Sequence, residues 1–271
     1  MSEKKIRGEM TRYDGSTGKI DAYITGPAGS DKHPGIVLIH EIFGLNDHTK
    51  DVADRIAREG YVVLAPHLFS SKHVPQTMTQ QNIQLTMQFM MSLPPEKQRD
   101  MGYVQEQLAR YDETKRDAIQ SLMGVLFNLP RQKLAEELSA GVDYLNSLPN
   151  IHSGNIGSAG FCFGGAMSAE LGCTGKTAAT VIFYGQNPEP IDRVKNMNGP
   201  ILGLYGALDK RINEHLNELV RAFVDYDKIF ELVVYRGAAH AFFNNTGRNY
   251  NEEAAKDAWE RLKKFFSANL M

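Results

Sequence analysis

Two kinds of apolar pattern alternate along this chain. In the first kind the apolar or small residues run unbroken: Gly35-Ile36-Val37-Leu38-Ile39-His40, Tyr61-Val62-Val63-Leu64-Ala65, Asn155 to Ala159, Ala178 to Tyr184 and Pro200 to Gly206, with Ile229 to Tyr235 as a further strand. A strand without polar alternation is buried on both faces, as in a parallel sheet sandwiched between helices. In the second kind apolar residues return every three or four positions, which predicts helices. Val52, Ala53, Ile56 and Ala57 mark one over 47–59, closed by Gly60. Leu134, Leu138, Val142 and Leu145 mark another from Pro130 to Leu145. A third spans Asn213 to Tyr226, and Ala255, Trp259, Leu262 and Phe266 mark a last one over 252–267. Ahead of all these, Ile6 to Tyr13 and Ile20 to Thr25 read as strands joined by the turn Asp14-Gly15-Ser16-Thr17-Gly18. Repeated strand–helix units of this size predict an α/β fold, doubly wound around a mostly parallel sheet, with residues 1–271 in one domain.

The alternation breaks after the fourth strand. From about 70 to 130 the chain is polar, helical and rich in methionine. Ile83, Met87 and Met90 mark one helix face, ended by Pro94-Pro95. Met101, Val104, Leu108 and Tyr111 mark a second, and Ile119, Met123 and Leu126 extend it or begin a third. This helical excursion reads either as a lid or pocket wall over the end of the sheet, or as an oligomer contact in a homodimer. Methionines at helical spacing serve equally well as core filler.

Composition narrows the function classes. Thirty basic and 32 acidic residues leave a net charge of −2, without the basic footprint of a nucleic-acid-binding protein. No apolar run reaches the length that crosses a bilayer. Met1-Ser2-Glu3-Lys4-Lys5 has no apolar core behind it, unlike a signal peptide, so a cytoplasmic location is expected. The two cysteines, Cys162 and Cys173, would lie about 16 Å apart along one helix, too far for a disulfide.

Candidate chemistry concentrates at Gly160-Phe161-Cys162-Phe163-Gly164-Gly165. A buried strand precedes it and Ala166 to Leu171 read as the helix that follows. Cys162 thus stands on a strand-to-helix corner with glycines two positions to either side. The pattern resembles the nucleophile elbow of α/β-hydrolases, G-x-S-x-G, with Cys in place of Ser. A helix N-terminus aimed at the thiol favours a thiolate. In open α/β sheets the reacting groups collect at the carboxyl ends of the strands. Past those ends here stand Glu41, Cys162, Asp209 and His240, the last three a nucleophile, an acid and a base in the chain order of α/β-hydrolases. Taken singly, Asp209 also fits a turn or helix cap, and His240 a structural histidine. Gly154-x-x-Gly157-x-x-Gly160 lies inside a strand, so it is no dinucleotide fingerprint, and His40-Glu41 lacks the second histidine of a zinc motif. No cofactor or metal is expected.

Across most of its length the chain resembles the dienelactone hydrolase (carboxymethylenebutenolidase) family. The resemblance rests on His40-Glu41-Ile42-Phe43-Gly44-Leu45, Gly60 to Pro66, the Cys162 segment, Asp209 and His240-Ala241-Phe242. It implies a triad of Cys162, His240 and Asp209, with Glu41 against the resting thiol and the backbone N–H groups of Ile42 and Phe163 as the oxyanion hole. It also implies a small-molecule ester or lactone substrate, cleaved through a thioester. A thiolate expels an alkoxide well and an amine poorly, which favours esters and lactones over amides. Two positions depart from the family pattern. Where dienelactone-cleaving members carry an Arg four residues after the histidine, this chain has Asn244, so Asn244, Arg211 and Arg248 are the candidate substrate contacts. Where many relatives have Asp after Ala-Pro, it has His67. Two other readings stay open: a general carboxylesterase or thioesterase on the same triad, and a non-catalytic ligand-binding or redox-sensing protein that uses Cys162.

Overall fold

A computed structural model describes residues 5–97, 100–126 and 128–271, with only the backbone of Pro95 and Leu126. The readings on Met1 to Lys4 and on the Leu126 side chain therefore lie outside the described residues. Eight strands form one sheet in the order β1-β2-β4-β3-β5-β6-β7-β8. They are β1 (Ile6–Asp14), β2 (Lys19–Pro27), β3 (His33–Ile39), β4 (Val62–Pro66), β5 (Ile151–Phe161), β6 (Ala179–Phe183), β7 (Ile201–Gly206) and β8 (Phe230–Tyr235). The β1–β2 and β2–β4 pairs are antiparallel and the other five are parallel. The antiparallel start follows from the short turn at 14–18, where the Gly15 N–H donates to the Gly18 carbonyl at 2.8 Å. A connection that short cannot return a chain parallel to itself.

Apart from β8, an edge strand whose residues are half-buried or exposed, the apolar runs are buried on both faces, and successive residues serve different cores. Ile36 and Leu38 pack in a cluster with α1 (Asp47–Arg58) and α9 (Glu252–Leu270). Val37 and Ile39 pack on the other side with α5 (Arg131–Ser147) and with Met167 and Leu171 of α6 (Phe163–Gly172). At the far end of the sheet, Ile201 and Tyr205 meet Leu219 and Phe223 of α8 (Leu216–Asp225).

Two expected elements differ. The single helix from Asn213 to Tyr226 is instead a short α7 (Lys210–Asn213) followed by α8. Asp209 caps the first turn, its carboxylate accepting from the Ile212 N–H, so the helix begins at Lys210, shortly after β7, and breaks before Leu216. Among its described residues the excursion contains three α-helices, α2 (Gln80–Ser92), α3 (Met101–Leu108) and α4 (Glu113–Leu126). Asp112 starts α4 by accepting from the Lys115 N–H at 3.0 Å, which makes it a new helix and not an extension of α3. Phe89, Leu93, Val104, Leu108 and Ile119 form a core of their own there, while Ile83 and Leu122 join the α5 side of the sheet. Met101, expected inward, is exposed.

Candidate active site

Cys162 sits where β5 turns into α6, with φ 57° and ψ −114°, a conformation that L residues with a side chain rarely adopt. Such strain, of order 1–3 kcal/mol, persists only where the surroundings hold it. Here they do. The Cys162 N–H donates to the Phe183 carbonyl at 3.1 Å, and the glycines around it allow backbone to touch backbone. A Cβ on Gly160 would lie 1.9 Å from the Gly164 carbonyl oxygen, and one on Gly164 would lie 2.2 Å from that of Ile39. The end of β3 therefore rests directly on the first turn of α6, which sets the segment after Ile39 beside Cys162.

His240 and Asp209 come from the loops after β8 and β7. The His240 Nδ1 and Asp209 Oδ2 are 2.5 Å apart, and the Asp209 Oδ1 is 3.5 Å from the Ile212 N–H. Asp209 is thus both helix cap and histidine partner, the two roles its position in the sequence left open. Burial opposes a charge on His240. The hydrogen bond to buried Asp209 and the neighbouring Cys162 outweigh it and push the imidazole up to about 10. An imidazole held this way can keep a proton beside a thiolate, or pass it on.

Glu41 is buried and donates nothing when ionised, so it needs donors. Asn244 provides one: its Nδ2–H donates to Glu41 Oε2 at 2.6 Å, while its Oδ1 accepts from the N–H and hydroxyl of Thr246. Asn244, expected at the substrate, is itself buried and turned onto Glu41. The reason is the burial of that carboxylate, which a polar partner must offset. Burial lifts the Glu41 carboxyl above its ordinary range, against the pull of Asn244 and of His240. Arg211 lies exposed on α7 and Arg248 exposed beyond Asn244.

The sign of that shift gives a testable consequence. A carboxyl whose pKa rises on folding adds stability below its unfolded value of 4.5, and that stability is lost as pH rises through the folded value. Glu41→Gln keeps an acceptor for Asn244 without a charge to bury. Its unfolding midpoint is expected to exceed that of the wild type by more at pH 8 than at pH 4. Equal differences at the two pH values would exclude a buried ionisable Glu41 as the cause.

Two further groups border the site. Tyr184, at the end of β6, has φ 39° and stacks edge-on against His240 at 5.1 Å. Burial first, then the nearby Glu41 and Cys162, hold its hydroxyl far above the usual phenol range. The rule that pointed to Glu41, Cys162, Asp209 and His240, a place just past a strand end, also fits Tyr184, which in the sequence reads as the last residue of its strand. His40 is fully buried between Glu41 and Leu68. Burial, with nearby His67, pushes its imidazole down to about 3, so it is neutral. The N–H groups of Ile42 and Phe163, the expected oxyanion donors, belong to partly exposed residues at the two segments that meet over Gly164. Among the described residues no three His, Cys, Asp or Glu side chains converge as a metal centre needs, and no helix is long and apolar enough to cross a membrane.

Comparison with known proteins identifies the family and the fold. Residues 20–270 match the model of the dienelactone hydrolase family. A protein of Saccharolobus solfataricus described as a carboxymethylenebutenolidase is 38% identical over 256 residues, covering 93% of this chain and 95% of its own. One of Synechocystis, described in the same way, is 28% identical over 263 residues and covers 93% of both chains. Among solved structures, one described as a dienelactone hydrolase from Klebsiella pneumoniae superposes with a TM-score of 0.72 at 23% identity, over 97% of this chain and 99% of that one. A dienelactone hydrolase-like promiscuous phosphotriesterase from metagenomic libraries superposes at 0.71 with 22% identity, over 98% and 99%. At those identities the structures speak for the fold, the α/β-hydrolase fold, and the sequence relationships speak for the family. The chain belongs to the dienelactone hydrolase family and is an ester- and lactone-hydrolysing enzyme of the α/β-hydrolase fold.

Proposed function

We propose that the chain cleaves its ester or lactone through a Cys162–His240–Asp209 triad and a thioester acyl-enzyme. The observation that carries this reading is the Asp209-bound imidazole of His240 beside a cysteine held on a strained strand-to-helix corner. The Cys162 thiolate attacks the carbonyl carbon, and the carbonyl π pair moves to oxygen. The N–H groups of Ile42 and Phe163 receive that oxyanion, a contribution typically worth a few kcal/mol per donor. Collapse expels the alkoxide, which takes the His240 proton. Water then attacks the thioester, His240 accepts its proton, and the thiolate leaves. Asp209 holds the imidazole in the tautomer that can do both. Glu41, which feels the charge of His240, competes with it for the thiol proton in the resting enzyme. The side chains of Ile42 and Phe163 pack against the same cluster as Ile83, Met87 and Leu122, which supports a pocket-wall role for the helical excursion.

The test is a slowly hydrolysed aryl ester quenched during turnover. Intact mass and peptide mapping are expected to show one acyl group, on Cys162. Rapid turnover with no acyl-cysteine at any time would exclude the thioester route.

Substrate charge follows from Asn244. The relatives' name refers to a carboxylate-bearing lactone. In this chain the position that carries an Arg in dienelactone-cleaving members holds a neutral amide already bonded to Glu41. A charge-assisted contact is stronger than a neutral one, and its absence lowers selectivity for an acid by about ten- to a hundred-fold. A neutral methyl ester of the dienelactone is therefore expected to be hydrolysed at least as efficiently as the free acid. A hundred-fold preference for the acid would overturn this and turn attention to Arg211 and Arg248.

A further inference from the structure

The segment that follows β3 must present the Ile42 N–H to a developing oxyanion, yet it is a loop, and a loop peptide is free to rotate unless something holds it. One side chain does so. The Leu68 N–H lies 3.1 Å from His40 Nε2, and a backbone N–H can only donate, so Nε2 is the acceptor and the ring proton is on Nδ1. That Nδ1–H donates to the Glu41 carbonyl at 2.6 Å. The same carbonyl also accepts from the Gly44 N–H at 3.2 Å. In a trans peptide the C=O and the next N–H point in opposite directions, and among the described residues the single cis bond is Glu189–Pro190. Fixing the Glu41 carbonyl on the protein side therefore turns the Ile42 N–H to the opposite side. No intramolecular acceptor for that N–H is found among the described residues.

The imidazole itself has no freedom. It is fully buried, edge-on to Phe69 at 4.9 Å and 6.0 Å from the Phe163 ring, whose backbone carries the second expected donor. His67 extends the brace. Its Nδ1 lies 3.4 Å from the Leu45 N–H, and its ring fills the space that a side chain at Gly44 would need, 3.2 Å from such a Cβ. The loop is thus backed by two imidazoles and Phe69.

We infer that His40 is a positioning residue of the oxyanion hole: through its Nδ1–H it locks the Glu41–Ile42 peptide so that the Ile42 N–H is aimed at the substrate oxygen. The inference rests on the reading of Ile42 and Phe163 as oxyanion donors, and the test separates the two. The variants are His40→Leu, which removes both bonds, and His40→Asn, whose Nδ2–H stands as far along the side chain as the histidine Nδ1–H and restores the one to Glu41. The probes are an alkyl trifluoromethyl ketone and iodoacetamide. With the ketone the Cys162 sulfur–carbon bond forms, the carbonyl π pair moves to oxygen and nothing leaves, so the adduct carries an oxyanion. With iodoacetamide the sulfur–carbon bond forms as iodide leaves, and no oxyanion arises.

For His40→Leu the ketone inhibition constant is expected to weaken by roughly ten- to a hundred-fold, below the full loss of a donor. The alkylation rate of Cys162 is expected to stay within about two-fold of wild type, since the thiol and His240 are untouched. His40→Asn is expected to recover most of the ketone affinity. Wild-type ketone affinity in His40→Leu overturns the inference, as does His40→Asn no better than His40→Leu, or a parallel loss with both probes. If His40→Leu does not fold, His40→Asn decides alone: affinity near wild type supports the inference, and a ten-fold or greater loss overturns it. A wild-type enzyme that is alkylated at Cys162 but forms no ketone adduct would refute the oxyanion-hole reading beneath it, and the inference with it.

Discussion

Cys162→Ala is expected to lower kcat for an activated ester by about 10⁴-fold or more, with the far-ultraviolet spectrum and unfolding midpoint close to wild type. Removing the nucleophile of a triad leaves only the binding and oxyanion contributions. The fold is spared because the corner is held by Gly160, Gly164 and the Cys162 backbone, which the substitution does not touch. Cys162→Ser is expected to retain little activity, since a hydroxyl does not ionise beside His240 as a thiol does. Alkylation offers an independent readout. Cys173 is 4% exposed, and burial, with the nearby Glu170 charge, pushes its thiol up to about 12. One equivalent of iodoacetamide is therefore expected on Cys162 alone. Turnover that survives Cys162→Ala, or equal labelling of the two thiols, would remove Cys162 as the nucleophile.

Asp209→Asn is the second large effect, because Asp209 uses both of its oxygens. Oδ1 serves the Ile212 N–H at the start of α7 and Oδ2 serves His240. An asparagine has one oxygen. If it keeps the cap, its NH₂ faces His240 Nδ1 and drives the ring proton to Nε2, the nitrogen that must accept from the thiol. If it turns to keep His240, the cap is lost. Asn is as good a cap as Asp, so the first arrangement costs little stability. We expect kcat to fall by roughly 10³–10⁴-fold, the size seen when a triad histidine takes the wrong tautomer, with an unfolding midpoint within a few degrees of wild type. The charge that offsets burial also disappears, so the imidazole loses the support that holds it near 10. A kcat within ten-fold of wild type would show that Asp209 serves as a cap and nothing more.

Much of this molecule was legible in its residue pattern, and the reason is local. A strand buried on both faces needs an unbroken apolar run, and Val37, Leu64 and Val181 lie in runs that became central strands. A corner as sharp as that at Cys162 needs glycine where backbones touch, so Gly160 and Gly164 announced it. Residues just past such strands must share one edge of the sheet, which is why Cys162, Asp209 and His240 were named together and are brought together. The family's presence in the chain was readable on the same segments.

What residue order alone left undecided depends on partners far apart in the chain. Asn244 read as a substrate contact because its position relative to His240 is all a sequence records; only folding sets it 2.6 Å from Glu41, 203 positions away. Asp209 read as either cap or triad acid; folding sets one of its carboxylate oxygens on the Ile212 N–H and the other on His240. The helix after Asp209 was placed too late, since its start depends on a cap that the sheet holds in place. His40 looked like the end of a strand. Its single neutral tautomer is set by the Leu68 N–H on one side and the Glu41 carbonyl on the other, a bond pair that exists only when β3 and the segment after β4 lie side by side. Apolar periodicity reports which face of an element is buried. It carries no information about which buried polar group will meet which, because that is decided by the packing of elements distant in sequence.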